Sequence, residues 1–306
     1  MRTGAAVLRG RGRGLHQRPA RPCGAGPRCR ARSRGRRRGR PAVRVSTRRH
    51  WQDFWDEADR LSLDDVYGND GRIVRELFAL GDPAGKRVLE VGAGSGRDAV
   101  ALARAGAEVW TLDYVPGSLA LTARAAAQAG VRVQAVNGDA LCKPFADGTF
   151  DLVYHQGLLE HFRDPLPLLR EDLRVLKPGG RLLVDVPQTW HYYTLGKQLL
   201  IALDRWFAGW ETQFTPAGLE GAVRRAGGEV VRTYGDWMVP GLWYRALRKT
   251  LLSRLGLRLP MYPDPVPPLG RLLARWRERH RGRRWALHTA MTIGVIVRRD
   301  DAGGGA

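Results

Sequence analysis

Cysteine is scarce in this 306-residue chain: only Cys23, Cys29 and Cys142 are present. Three thiols rule out a disulfide framework, carry no metal-ligand spacing, and fit a reducing, cytoplasmic compartment. Long apolar runs are also missing. The best stretch, LGKQLLIALDRWFAGW, is broken by Lys197, Asp204 and Arg205. It falls short of the roughly 20 apolar residues that a membrane-crossing helix needs. The expectation is a soluble chain, at most peripheral to a membrane. Acid is absent from the first fifty residues, which hold 17 arginines and little that could build a core.

That Arg/Gly-rich segment, residues 1–50, cannot bury enough surface to offset its ordering entropy and reads as a disordered tail. Three origins stay open for it. It fits a basic arm for nucleic acid or anionic lipid. It fits an Arg-rich, acid-free transit peptide, although serine is sparse. It also fits a mis-called upstream start in GC-rich codons, with the true start near Val43 or Val45. No catalytic role falls to it.

The net charge of +21 first suggests nucleic acid. Its distribution argues otherwise. Residues 51–240 hold 20 basic against 26 acidic side chains, whereas residues 241–285 hold 12 against 2. The core is mildly acidic, and the excess base sits in the tail and in one late segment. Residues 51–306 read as a single domain, a length ample for one α/β core with additions.

Within it the pattern alternates. HWQDFWDEADRL sets Trp51, Phe54, Trp55 and Ala58 on one helical face. RVLEV (87–91), EVWTLD (108–113), VRVQAVNGD (131–139), FDLVYHQ (150–156), RLLVDVPQ (181–188), EVVRTYGDW (229–237) and MTIGVIVRR (291–299) read as strands, most of them separated by helix-like runs. Alternating strands and helices imply an α/β fold whose mainly parallel sheet is covered on both faces.

In such sheets ligands sit beyond the C-terminal strand ends. VLEVGAGSGRDAVALARAG places Gly92, Gly94 and Gly96 at the first of these ends, just before a helix. Glycines let a backbone approach a ligand closely, and the helix start offers free amides. Alone, the pattern also fits a tight turn without a ligand. Asp113 closes the second strand, 19 positions after Gly94. A carboxylate there can accept both hydroxyls of a ribose, or cap the next helix. A dinucleotide fingerprint would need a small residue at position 97, where Arg97 stands. Glu90, beside the turn, repels phosphate and suits a ligand bearing positive charge. The ligand implied is a nucleoside with a ribose, no phosphate and a cation.

At this point the chain resembles the class I S-adenosylmethionine-dependent methyltransferases, most of all the group that includes the ubiquinone and menaquinone biosynthesis enzymes. The resemblance rests on VLEVGAGSGRDAVALARAG, VWTLDYVPGSLALTARAAAQAG, VNGDALCKPFADGTFDLVYHQGLLEHFRDP, LKPGGRLLVDVPQ and FTPAGLEGAVRRAGGEVV, in that order, over roughly residues 70 to 235. It implies a Rossmann-like seven-stranded sheet, mostly parallel, whose antiparallel last strand is inserted beside the sixth. It also implies S-adenosyl-L-methionine as cofactor. By position, Gly92, Ala93, Gly94 and Gly96 would wrap its methionine part, with Glu90 near the ammonium. Asp113 would hold the ribose and Tyr114 or Val115 would flank the adenine. Asp139 with Ala140 would meet the adenine amine, and the backbone at His155 or Gln156 would meet the amino group.

Methyl transfer asks mainly for alignment and exclusion of water. A base is needed only when the nucleophile carries a proton at neutral pH. The candidates for one are His155, His161 and His191; the plainer readings are a structural His161 and a pocket-lining His191.

Two segments lie outside the shared core. In residues 189–215, Leu195, Leu199, Leu203 and Phe207 form an i+4 stripe, with Trp206 and Trp210 nearby. Packing on the core is the favoured reading, a substrate lid the alternative. In residues 241–285, Trp243, Leu247 and Leu251 oppose Arg245, Arg248 and Lys249, and the strongly basic LGRLLARWRERHRGRRWAL follows a Pro-rich break. A solvated face is the bland reading. Docking on an anionic membrane surface, or contact with an anionic or lipid-linked small-molecule substrate, is the sharper one. Nucleic acid is disfavoured: no aromatic-interleaved basic motif accompanies the charge, and HQGL stands where amino-group methylators of nucleobases carry their Pro-Pro signature. A nucleic-acid methyltransferase and a non-catalytic cofactor-binding protein are the rival functions.

Overall fold

The computed structural model describes residues 51–53, 55, 71–206, 210–239, 241–260, 262, 263 and 266–300. The tail, the start near Val43 or Val45, Phe54, Ala58 and Phe207 lie outside the described residues. So do the side chains of Trp243, Arg245 and Lys249.

Apolar runs become strands where both faces are covered. Val88, Leu89, Glu90 and Val91 are all buried in β1 (Arg87–Val91). β2 (Glu108–Asp113) and β4 (Phe150–Gln156) pair with β1 on either side, both parallel. β3 (Val133–Asn137) extends the sheet beyond β2 and forms a more exposed edge. On the other side β5 (Leu176–Pro187) pairs parallel with β4. β7 (Thr292–Arg299) then runs antiparallel between β5 and β6 (Gly228–Asp236). The order is β3-β2-β1-β4-β5-β7-β6. This is the seven-stranded, mostly parallel sheet with an inserted antiparallel last strand that the motifs implied. β5 begins five residues earlier than its apolar run does, because Leu176 already pairs with Phe150 ahead of a register shift.

Because side chains alternate across a strand, neighbouring residues feed two cores. Leu89, Val153, Leu182 and Val295 join Leu168 and Leu169 of α4 (Leu166–Val175) and Leu219 and Val223 of α6 (Pro216–Ala226). Val88, Leu152, Leu183 and Ile296 join Ile73 and Leu77 of α1 (Arg72–Phe78) and Ala99 and Leu102 of α2 (Arg97–Arg104). α3 (Pro116–Gln128) follows β2.

α5 (Tyr192–Ala202) overturns one expectation. Leu195, Leu199 and Leu203 are 50, 61 and 55% exposed, so the apolar stripe does not pack on the core. Thr194, Lys197 and Ile201 face inward instead. The reason is an ion pair between buried Lys197 and buried Glu211, which turns the polar face of the helix toward the protein.

The basic segment forms α7 (Leu242–Leu255), α8 (Pro267–His280) and α9 (Arg284–Thr289). LGRLLARWRERHRGRRWAL is therefore two helices. The break falls at Arg281–Arg283, where Arg283 is extended and Arg281 is drawn into an ion pair with Glu76 of α1. Among the described residues no helix is long and apolar enough to cross a membrane.

Candidate active site

The site is built where β1, β2 and β4 end. After β1 the chain must turn sharply into α2, and Gly92, Gly94 and Gly96 all take left-handed backbone angles, with φ of +70°, +54° and +68°. Two of these glycines are required sterically as well. A Cβ on Gly94 would lie 2.8 Å from the ring of Trp55, and one on Gly96 would lie 2.5 Å from Thr122 Oγ1. The loop is thus pressed between an aromatic side chain and α3.

Beyond it opens a cleft of about 1100 Å³. A pocket for one ligand typically measures roughly 300–1,000 Å³, so two ligands have room here. Glu90, Gly92, Ala93, Gly94, Asp113, Tyr114, Asp139 and Ala140 all line it, as do Gln156 and His161. Gly96, His155 and His191 do not.

The carboxylates are held differently. Asp113 accepts from the Val115 amide through Oδ1 and from the Ser118 hydroxyl through Oδ2, each at 2.9 Å. Burial raises its pKa, and these donors work against the rise. Glu90 is fully enclosed, and burial followed by the nearby Asp98 carboxylate pushes its carboxyl well above the usual range. Its Oε2 has no hydrogen-bond partner among the described residues. An unpartnered acidic oxygen on a cleft wall is a place for a ligand cation, which would restore the ionised form. Asp139 is exposed and accepts from the Leu141 amide at 2.8 Å, closing a turn.

The histidines part company. His155 shares the strand face of Val153 and points into the other core. There Nε2 lies 3.3 Å from Asp172 Oδ2, and Lys143 Nζ lies 3.1 Å from Asp172 Oδ1. Its side chain is sealed from the cleft, so the candidacy of His155 as a base is corrected; the neighbouring Gln156 lines the cleft. His191 caps α5, with Nδ1 accepting from the Tyr193 amide at 3.3 Å, and it is likewise removed as a base candidate. His161 reaches the cleft and meets the edge of Trp51, with centroids 4.7 Å apart. Burial lowers its pKa to about 4. The ring is neutral at neutral pH and a weak proton acceptor.

Several lining groups had no local signal. Arg72 opens α1 and bonds Asp185 at 2.6 Å, Thr292 at 2.8 Å and Gln156 at 3.0 Å. Gln156 passes the network on to Asp98 at 2.8 Å. Burial opposes the charge on Arg72, yet Asp185 and Asp236 hold its pKa above the ordinary value. Opposite stand Glu160, Tyr193, Lys197, Trp206 and Glu211. Burial and then Glu211 lift Glu160 to about 8. Trp206 Nε1 donates to Glu211 at 2.7 Å. Trp51 and Trp55, legible only as a helix face, prove to be cleft walls.

A twisted α/β sheet with β7 inserted before β6, and a glycine-walled cleft with acids at two strand ends, defines a Rossmann-like enzyme that takes a nucleoside cofactor. The comparisons with known proteins narrow this. Residues 89–184 match the family model described as a methyltransferase domain. A ubiquinone biosynthesis O-methyltransferase from Ruegeria pomeroyi is 32% identical over 188 residues, or 60% of this chain and 76% of the relative. A demethylmenaquinone methyltransferase from Thermus thermophilus is 40% identical over 121 residues, or 39% of this chain and 55% of the relative. Phosphoethanolamine N-methyltransferase 2 from Haemonchus contortus, solved with S-adenosyl-L-methionine, shares the fold with a TM-score of 0.53 at 18% identity, over 81% of this chain and 60% of that one. The chain belongs to the S-adenosylmethionine-dependent methyltransferases.

Proposed function

We propose that this enzyme methylates a quinone-type or related ring acceptor while docked on an anionic membrane surface, with its cofactor held by Glu90, the Gly92–Gly96 loop, Asp113, Tyr114, Asp139 and Ala140. The names of the ubiquinone and menaquinone relatives support the acceptor class. The observation that carries the cofactor placement is the pairing of the unpartnered Glu90 oxygen with Asp113 across the glycine loop. The residues present fit the cofactor: an acid for an ammonium, an acid for a ribose diol, and bare backbone between them. When bound, S-adenosylmethionine supplies a methyl group on a sulfonium, already an excellent leaving group. The chain's part is then to orient the acceptor, to exclude water with Trp51, Trp55 and Trp206, and to hold charge with Glu90 and Asp113. Neutral His161 fits a wall of the cleft better than a base.

The docking reading rests on α8. None of its residues is buried, and Leu269, Leu272 and Leu273, 50, 63 and 44% exposed, form an apolar stripe at i, i+3 and i+4 that continues to Trp276 at i+7, where the ring also meets Trp237 and Trp285. By helical spacing Arg277 and Arg279 lie at the two edges of that stripe. An apolar ridge edged with guanidinium groups complements an anionic bilayer surface. Vesicles of phosphatidylglycerol should retain the full chain, and retention should fall with added salt and in a Leu269→Ser, Leu272→Ser variant. If the variant sediments like the parent, the tail accounts for binding and the ridge does not. Labelled cofactor with quinone precursors and a cell extract tests the acceptor class; product on a nucleic acid instead would sink it.

A further inference from the structure

A second cavity, of about 530 Å³, lies between α8, the end of β6 and the start of α1. Gly71, Arg72 and Met238 line both this cavity and the main cleft, so the two share a wall. Met238 itself sits in the left-handed region, with φ of +49°, where its amide donates to Asp236 Oδ1 at 2.6 Å. Non-glycine residues rarely adopt that conformation, and such strain concentrates at binding sites.

The cavity is rich in guanidinium. Arg72, Arg75, Arg275, Arg277 and Arg281 face it, against Asp236 and Glu278. Three of these cations are committed. Arg72 pairs with Asp185, Arg75 with Asp236 at 2.9 Å, and Arg281 with Glu76 and Glu278. Arg275 and Arg277 have no partner among the described residues. Helical spacing sets Ala274, Glu278 and Arg281 on the inward face of α8, with Arg275 and Arg277 at its two edges. The exposed apolar ridge lies on the opposite face. Trp237 and Tyr262 complete the lining.

We propose that, within the ring-acceptor class above, the acceptor is a phosphorylated one: this cavity binds its phosphate or diphosphate group, and its reacting ring enters the main cleft on the other side of the wall that Gly71, Arg72 and Met238 share. Guanidinium forks match phosphate oxygens bidentately, and two uncommitted forks suit a doubly charged group better than one carboxylate. The aromatic walls take an apolar linker beside it. The inference rests on the methyltransferase reading of the main cleft. Its chemistry is shared by a free terminal phosphate and by a phosphodiester headgroup.

Calorimetry on the full chain separates the possibilities. S-adenosylhomocysteine is titrated first; if it fails to bind, the cofactor reading fails, whatever the anion result. Pyrophosphate, hexyl phosphate and glycerophosphoglycerol are then titrated into the parent and into an Arg275→Ala, Arg277→Ala variant. The expected result is that pyrophosphate and hexyl phosphate bind the parent and bind the variant about tenfold or more weakly, with cofactor affinity and melting temperature unchanged. The same loss confined to glycerophosphoglycerol would assign the site to a lipid headgroup and overturn the acceptor-phosphate reading. Binding of all three that is absent, or equal in parent and variant, overturns the proposal, since the Arg-rich tail would then explain any affinity.

Discussion

Replacing Asp113 with alanine offers the sharpest test of the cleft. The carboxylate is buried, and both its oxygens already hold donors, the Val115 amide and the Ser118 hydroxyl at 2.9 Å each. A ribose diol arriving there competes for occupied lone pairs, so the net gain is about one charge-assisted bond rather than two. Such a bond is worth about 1.5–3 kcal/mol, which corresponds to roughly 10–150-fold in affinity. Asp113→Asn keeps an acceptor for the Val115 amide but loses the charge, and should fall between parent and alanine. The assay is calorimetry with S-adenosylhomocysteine and with its 2′,3′-dideoxy analogue. In the parent, the analogue should bind weakly by a similar factor. In Asp113→Ala, the two ligands should bind alike, because the coupling between hydroxyls and carboxylate is gone. Equal loss of both ligands would mean that the substitution disturbs the loop rather than a ribose contact. Unchanged affinity for S-adenosylhomocysteine, with the fold intact, would refute the assignment outright.

Two further outcomes follow from the same geometry. Gly96→Ala forces a left-handed alanine whose Cβ lies 2.5 Å from Thr122 Oγ1. Strain and overpacking together should cost about 2–4 kcal/mol in urea unfolding, and a loss below about 0.5 kcal/mol, no more than a neutral surface change, would show that the loop is not so constrained. Glu160 is raised in the folded state to about 8, so its contribution is fully present below the unfolded value near 4.5 and is lost as pH rises through 8. Glu160→Gln cannot ionise, and its melting temperature should decline less than the parent's between pH 5 and 8.5; identical slopes would place the titration elsewhere.

How far the sequence could be read depended on whether the cause was local. The strand RVLEV, the turn glycines and Asp113 were legible because backbone dihedrals and strand ends are set by neighbours a few residues away. His155 was not. In a strand covered on both faces, apolar residues lie on either side, so parity carries no mark of which face meets the cleft; only Asp172 on α4 reveals it. The stripe of Leu195, Leu199 and Leu203 misled for a related reason. Amphipathicity says that one face differs from the other, and the inward choice was made by Glu211, 14 residues after Lys197. Arg72 had no local signal at all, since its partner Asp185 lies 113 positions away at the end of another strand.

Charge distribution links these observations. An acidic core and a basic late segment could simply neutralise one another, which would leave the base structural. The contacts divide it instead. Arg281 is drawn down onto Glu76, which also takes Arg232, and this cluster fixes the end of α8 to α1 and β6. Trp276 meets Trp237 and Trp285 at centroid distances of 6.1 and 5.7 Å, adding an aromatic anchor at the same end. The rest of the helix buries nothing. A 14-residue helix gains most of its stability from packing, so one that buries no residue and is held at its C-terminal end is weakly docked beside the second cavity. Arg271, Arg275, Arg277 and Arg279 are therefore not needed to neutralise the core. Their charge is available to a ligand on the inner side of α8 and to an anionic surface on the outer one.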